Sequence, residues 1–261
     1  MRQTSRATED EEPILARMRI RLLALLSAAV VVAGCGSGDS SKEKEAASTP
    51  ASTPVATPTA VATTPAPTET AAAPANNGCP AAKQPKSKGE GKLSKPTTAL
   101  DPTKTYTAVV TTSCGEFQIK LDVKRAPKTA ASFAYLADKK FYDQTTFHRI
   151  VPGFVIQGGD PLGTGTGGPG YTVVEAPPQS LKYTNGVVAM AKGGNEPSGA
   201  SGSQFFVVTG GNVQLPPDYA LLGTVTSGGD TVGDIGTAAT DPNTERPLAP
   251  IVIESIRIKV S

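Results

Sequence analysis

The C-terminal three-fifths of the chain predicts a mainly β fold, an antiparallel barrel built from short strands and one or two short helices. Three observations predict it. Runs of β-branched and aromatic residues recur with period-two alternation, Gly/Pro-rich turns separate them, and only one stretch carries a clear helical period.

The first two strands, Tyr106–Thr112 and Gly115–Leu121, form a hairpin about Ser113-Cys114. In the second, Phe117, Ile119 and Leu121 alternate with Gln118 and Lys120, so both strands should be half buried. APKTAASFAYLADKK, Ala126 to Lys140, follows as a helix: Pro127 suits the first turn, and Ala130, Phe133, Ala134 and Ala137 share a face fit to cap a barrel end. Further strands are expected at Phe147–Val151, Val155–Gly158, Gly186–Ala191, Gln204–Val208 and Leu221–Val225. Thr231 to Thr240 contains two glycines and little helix-forming strength, so a helix there should be short. In the last strand, Ile251–Val260, the apolar phase slips between Ile253 and Ile256, which predicts a bulge.

A different chemistry precedes the barrel. Residues 1–34 read as a signal peptide, with Arg17, Arg19 and Arg21 as its basic region and Leu22 to Val32 as an apolar core too short to span a bilayer. Its acidic first residues make Met18 an alternative start. The ending Val32-Ala33-Gly34-Cys35 resembles a bacterial lipobox, which implies a diacylglycerol on Cys35 and a lipoprotein held at the outer face of the cell membrane. Residues 35–94 are rich in Ala, Ser, Thr and Pro, as in TPASTPVATPTAVATTPAPTET. Such a segment buries too little apolar surface to offset about 1–2 kcal/mol of backbone entropy per residue, and is expected to be a disordered tether. The folded domain is then 95–261.

Export bears on the remaining cysteines, Cys79 and Cys114. Outside the cytoplasm such a pair favours a disulfide, two free thiols being the alternative. A loop of that size would contribute about 3–4 kcal/mol in the chain-entropy model, and with the bridge formed the ordered region would begin near Cys79, well before the first strand. The net charge of +2 gives no electrostatic footprint for nucleic acid. The single histidine, His148, excludes a multi-histidine metal site, and acidic residues do not cluster, so neither metal nor cofactor is expected. Strand alternation points His148 away from Arg149, as a buried, hydrogen-bonded structural residue.

The densest motif is FHRIVPGFVIQGGD, Phe147 to Asp160, two strands about Pro152-Gly153. It closely resembles the signature of the cyclophilins, peptidyl-prolyl cis/trans isomerases. GTGTGG (Gly163 to Gly168) and GVVAMAKGGNEPSGASGSQFFVVT (Gly186 to Thr209) resemble further parts of that family's groove, and the likeness spans roughly Thr105 to Val260. The resemblance implies a closed eight-stranded barrel, prolyl-isomerase activity on exported proteins, proline-containing polypeptides as substrates and a monomer.

It also implies roles for the groove. Arg149 would donate to the prolyl nitrogen, Gln157 would hold the substrate carbonyl, and Phe154 would complete the catalytic set. Val155, Phe206 and Leu215, with Phe154, would form the apolar floor for the ring. Gln204 would orient Arg149 or the peptide, Ala191 and Lys192 would pair with an extended peptide, and Tyr219 stands where many eukaryotic members carry histidine. A weakly active proline-peptide binding module or holdase using the same groove is the alternative. The chain departs from the family in lacking tryptophan: Gln214 aligns with the groove tryptophan, which implies weak cyclosporin binding. Ser132 replaces a usual asparagine, Val155 a common methionine, and the Gly193 to Ser203 loop is longer than in compact eukaryotic members.

Overall fold

The computed structural model describes residues 78–80 and 82–261. The expected signal peptide, the alternative start at Met18, Cys35 and the first part of the expected tether lie outside the described residues. Among those described, no helix is long and apolar enough to cross a membrane.

Eight strands close an antiparallel barrel: β1 (Tyr106–Thr112), β2 (Gly115–Leu121), β3 (Thr145–Val151), β4 (Val155–Asp160), β6 (Val187–Met190), β8 (Phe205–Val208), β9 (Leu221–Ser227) and β10 (Val252–Val260). Their order around the barrel is β1-β10-β3-β4-β8-β6-β9-β2, and the two-residue strands β5 (Val173–Val174) and β7 (Ala200–Ser201) pair outside it. Closure removes the exposed edges that a short-stranded open sheet would present. Every inward position of the hairpin that alternation predicts, Phe117, Ile119 and Leu121, is buried.

Register shifts in β10 and β3 bear on the expected alternation. Thr111 pairs with Ser255 and Thr112 with Ile253, so Glu254 is the extra residue where the apolar phase slips. In β3, Phe147 pairs with Gly158 and Arg149 with Gln157. The extra residue is His148, and Phe147 and Ile150, three apart, both enter the barrel core. This departs from the strict alternation expected for the segment, since two residues three apart now share the interior face.

The interior is an aromatic cluster. Phe205 stands edge-on to Phe133 (5.6 Å between centroids), Tyr142 (5.9 Å) and Phe147 (6.1 Å). Helix α1 (Pro127–Asp138) contributes Phe133 and Leu136, and α2 (Gly229–Gly236), short as expected, contributes Val232 and Ile235. Ala126 supplies no side-chain cap for α1. Instead Glu175 accepts from the amides of Lys128 (3.1 Å) and Thr129 (2.8 Å), placing a carboxylate at the positive end of the helix. Helix α2 starts on Gly228 (φ +75°), where a Cβ would lie 2.3 Å from the Glu116 carbonyl oxygen; only glycine fits.

Residues 82–94, which composition assigns to the tether, run against the barrel as an extended arm. The amides of Lys88, Gly91 and Leu93 donate to the carbonyls of Pro161 (3.0 Å), Gly168 (2.9 Å) and Pro169 (2.9 Å). The Lys88 ammonium meets the carbonyls of Lys140, Phe141 and Asp143 at 2.7–3.1 Å, just beyond the negative end of α1, whose last turn lacks a basic residue. A Cys79–Cys114 disulfide joins the chain ahead of the arm to the β1–β2 turn.

Candidate functional site

Strands β3, β4 and β8 carry side chains on both faces. On β4, Ile156 enters the interior while Val155 and Gln157 face outward; on β8, Phe205 enters and Phe206 faces outward. The outward residues meet Ala191 after β6 and the 213–219 loop in a second apolar cluster. A cleft of about 220 Å³ opens over it, lined by Arg149, Phe154, Val155, Gln157, Ala191, Lys192, Phe206, Leu215 and Tyr219. Of the ten groove residues expected from the sequence, these are nine. Gln204, the tenth, lies behind Gln157 and accepts from its amide at 3.0 Å.

The floor is supported from below by a residue the motifs do not mark. Tyr183 is buried beneath Phe206 and Tyr219, with ring centroids at 6.2 and 6.1 Å. Its hydroxyl donates to the Tyr219 carbonyl at 2.7 Å and accepts from the Tyr219 amide. Burial pushes that phenol up to about 12, so it stays a neutral donor. Phe206 and Tyr219 meet edge-on at 5.4 Å, which fixes the wall against which a small ring would pack.

The polar wall is held by a relay that begins at Asp160. Its carboxylate accepts from the amides of Leu162, Thr164 and Gly165 and orders the glycine-rich loop. Burial opposes ionisation there, yet these amide donors outweigh it and hold the carboxyl below its ordinary range. The ordered loop presents the Gly165 and Gly167 carbonyls to the Gln204 amide at 3.0 and 2.9 Å, and Gln204 in turn fixes Gln157.

Arg149 is held by a partner distant in sequence. Its Nε donates to Glu245 at 2.5 Å, leaving both terminal nitrogens for the cleft. Glu245 adopts a left-handed conformation (φ +57°), which costs about 1–3 kcal/mol for a residue with a Cβ. The Asp241 carbonyl receives the Glu245 amide, and the Glu245 carbonyl receives the amide of Ile150, next to Arg149. Gln204, expected to orient Arg149 or the peptide, bonds Gln157 and the glycine-rich loop and makes no bond to Arg149 among the described residues. Lys192 pairs with Asp218 at 2.8 Å, which raises its pKa. His148 is buried as expected, with the backbone of Thr146 as a weak hydrogen-bonding neighbour whose geometry falls short of a full bond to either ring nitrogen.

A barrel of this topology, with an arginine at the mouth of an apolar cleft, matches a known pattern. Residues 107–258 fit the family model described as "Cyclophilin type peptidyl-prolyl cis-trans isomerase/CLD". The chain belongs to the cyclophilin family. It is 37% identical over 170 residues to peptidyl-prolyl cis-trans isomerase B of Streptomyces anulatus, covering 58% of this chain and 95% of that protein. Peptidyl-prolyl cis-trans isomerase A of Mycobacterium tuberculosis is 39% identical over 175 residues, covering 60% and 94%. A Cryptosporidium parvum cyclophilin-type isomerase, solved in the presence of the dipeptide Ala-Pro, superposes with a TM-score of 0.55 at 31% identity, covering 59% of this chain and 98% of that one. The protein is a peptidyl-prolyl cis-trans isomerase of cyclophilin fold, acting on proline-containing peptides.

Proposed function

We propose that the cleft lowers the isomerisation barrier by gripping a twisted prolyl amide, with Arg149 as the principal catalytic group. Amide resonance sets a barrier of about 18–20 kcal/mol. Twisting the bond localises a lone pair on the prolyl nitrogen, so a fixed cationic donor gains strength only as resonance is lost. A guanidinium is a fixed cationic donor, and Glu245 restrains that of Arg149 through Nε. Phe154, Val155, Phe206 and Leu215 take the ring, and Gln157 holds the flanking carbonyl. The Ala191 amide is engaged by the Gln204 carbonyl at 2.9 Å, so any main-chain pairing of Ala191 with substrate falls to its carbonyl oxygen.

The observation that carries this reading is the single cleft that joins Arg149 to the apolar floor. Arg149→Ala should lower kcat/KM on a short Xaa-Pro peptide by about 10²–10³-fold while the domain stays folded. Equal rates for the variant and the parent would reject the assignment.

The clients are exported proteins, met at the outer face of the cell membrane by an enzyme anchored through lipid on Cys35. The supporting features are the basic and apolar leader and the Val32-Ala33-Gly34-Cys35 ending. Mass analysis of the mature N-terminus tests the anchor: an unmodified Cys35, or cleavage elsewhere, would refute it.

A further inference from the structure

A second cavity, of about 620 Å³, adjoins the cleft and shares Gln157, Ala191 and Lys192 with it. One of its walls is contributed from outside the barrel. Glu90, on the arm, lines it together with the 165–172 loop and the start of the 193–203 loop. We propose that the arm is part of the substrate site, and that Glu90 selects a basic side chain near the proline. This rests on the peptide lying in the Arg149 cleft.

The arm is built to stay in place. Between Gly91 and Leu93 it donates two amides to the Gly168–Pro169 strip in a β-like manner. The approach is close enough to require glycine on both sides: a Cβ on Gly91 would lie 2.6 Å from the Gly168 carbonyl oxygen, and one on Gly170 would lie 2.6 Å from the Gly91 carbonyl oxygen. Lys88 anchors the stretch just before it through three carbonyls, and the disulfide fixes the chain further upstream.

Charge decides what the cavity takes. Its lining carries two acids, Glu90 and Glu196, and one cation, Lys192. Lys192 is neutralised by Asp218, whereas neither glutamate enters an ion pair among the described residues. Glu196 Oε2 is engaged by the Gly193 amide at 2.5 Å; Glu90 has only a long contact, 3.4 Å, from the Gly168 amide. Glu90 is therefore the less committed of the two carboxylates. A lysine or arginine side chain two or three residues from the proline reaches such a cavity and meets uncompensated negative charge.

The test measures kcat/KM on matched Xaa-Pro peptides carrying Lys, Gln or Glu two or three residues from the proline, on each side, at low and high salt. The parent should favour Lys over Glu by about two- to fivefold in at least one placement, as expected for a solvent-exposed ion pair, and the ratio should shrink with salt. Glu90→Gln should reduce that ratio. Gly91→Val, which lifts the arm without altering any barrel residue, should reduce it too. Because the readout is a ratio, a general loss of activity cancels. Equal rates for Lys and Glu peptides in every placement would overturn the proposal, as would a preference that survives Glu90→Gln and so belongs to Glu196. Failure of the Arg149 reading shows separately, as an unchanged rate for Arg149→Ala on the Gln peptide.

Discussion

Phe205 and Phe206 are neighbours on one strand of this cyclophilin, identical in chemistry and both buried, yet they belong to different regions. Phe205 is enclosed among Phe133, Tyr142 and Phe147 in the barrel interior. Phe206 packs on Tyr183 and Tyr219 beneath an open cleft. The difference shows how a small barrel can separate a closed core from an open site: one pleat serves two apolar faces, one enclosed and one left open as the floor of the cleft.

The largest expected effect breaks that comparison if it fails. Phe205→Ala should destabilise the domain by about 3–5 kcal/mol, because the enclosing aromatics cannot collapse into the space. Phe206→Ala should cost less, about 1.5–3 kcal/mol, since the cleft already admits water on one side. Its kcat/KM should fall by about tenfold or more as the floor is lost. Denaturant titration and a proline-peptide assay on the folded fraction measure both. Equal stability losses with equal activity losses would mean that the two faces do not divide the work.

A smaller effect concerns what holds the open face together. Glu245 does not line the cleft but bonds the guanidinium that does. Glu245→Ala should lower kcat by about tenfold, roughly 1.4 kcal/mol, with little change in KM. Glu245→Gln, which can still accept from Nε, should recover part of the loss. A change in KM alone, or no rescue by glutamine, would assign the loop a merely structural role.

How much was legible in the sequence follows the same division. Strands such as Gly115–Leu121 announce themselves because one face is apolar and the other polar. The bulge at Glu254 shows as a slipped phase between Ile253 and Ile256. The extra residue at His148 leaves the same three-residue step, Phe147 to Ile150, but with Val151 also apolar that step is equally compatible with a strand buried on both faces. The cleft was readable because its side chains fall in a few contiguous motifs. Glu245 is 96 residues from Arg149 and sits in a turn whose left-handed backbone no pattern of residue types marks. The arm is half legible: a Cys79–Cys114 bridge implies order from near Cys79 onward, but the arm's course is unmarked, because much of its attachment is main-chain amides on carbonyls, which leave little compositional trace in a segment poor in apolar side chains.

The smallest effect lies where the two faces meet. His148 is the chain's only histidine, and it is buried with no full hydrogen bond to either ring nitrogen. Burial lowers its pKa from the ordinary 6.5, aided by Arg246 and Arg149 and opposed by Asp160 and the Thr146 backbone. The unfolded chain therefore binds the proton first as pH falls. The associated stability is fully present above about pH 6.5 and is lost progressively below it, down to the folded pKa. The carboxyls held low, Asp160 among them, add losses only below their ordinary value of 3.8. No other side chain ordinarily titrates between about pH 6.5 and 5, so that window isolates His148. Thermal melts of the parent should show Tm falling from pH 7 to pH 5, and His148→Gln should flatten that slope whatever its stability at neutral pH. An unchanged slope in the variant would mean that the proton is taken up elsewhere and that His148 opens to water before it charges.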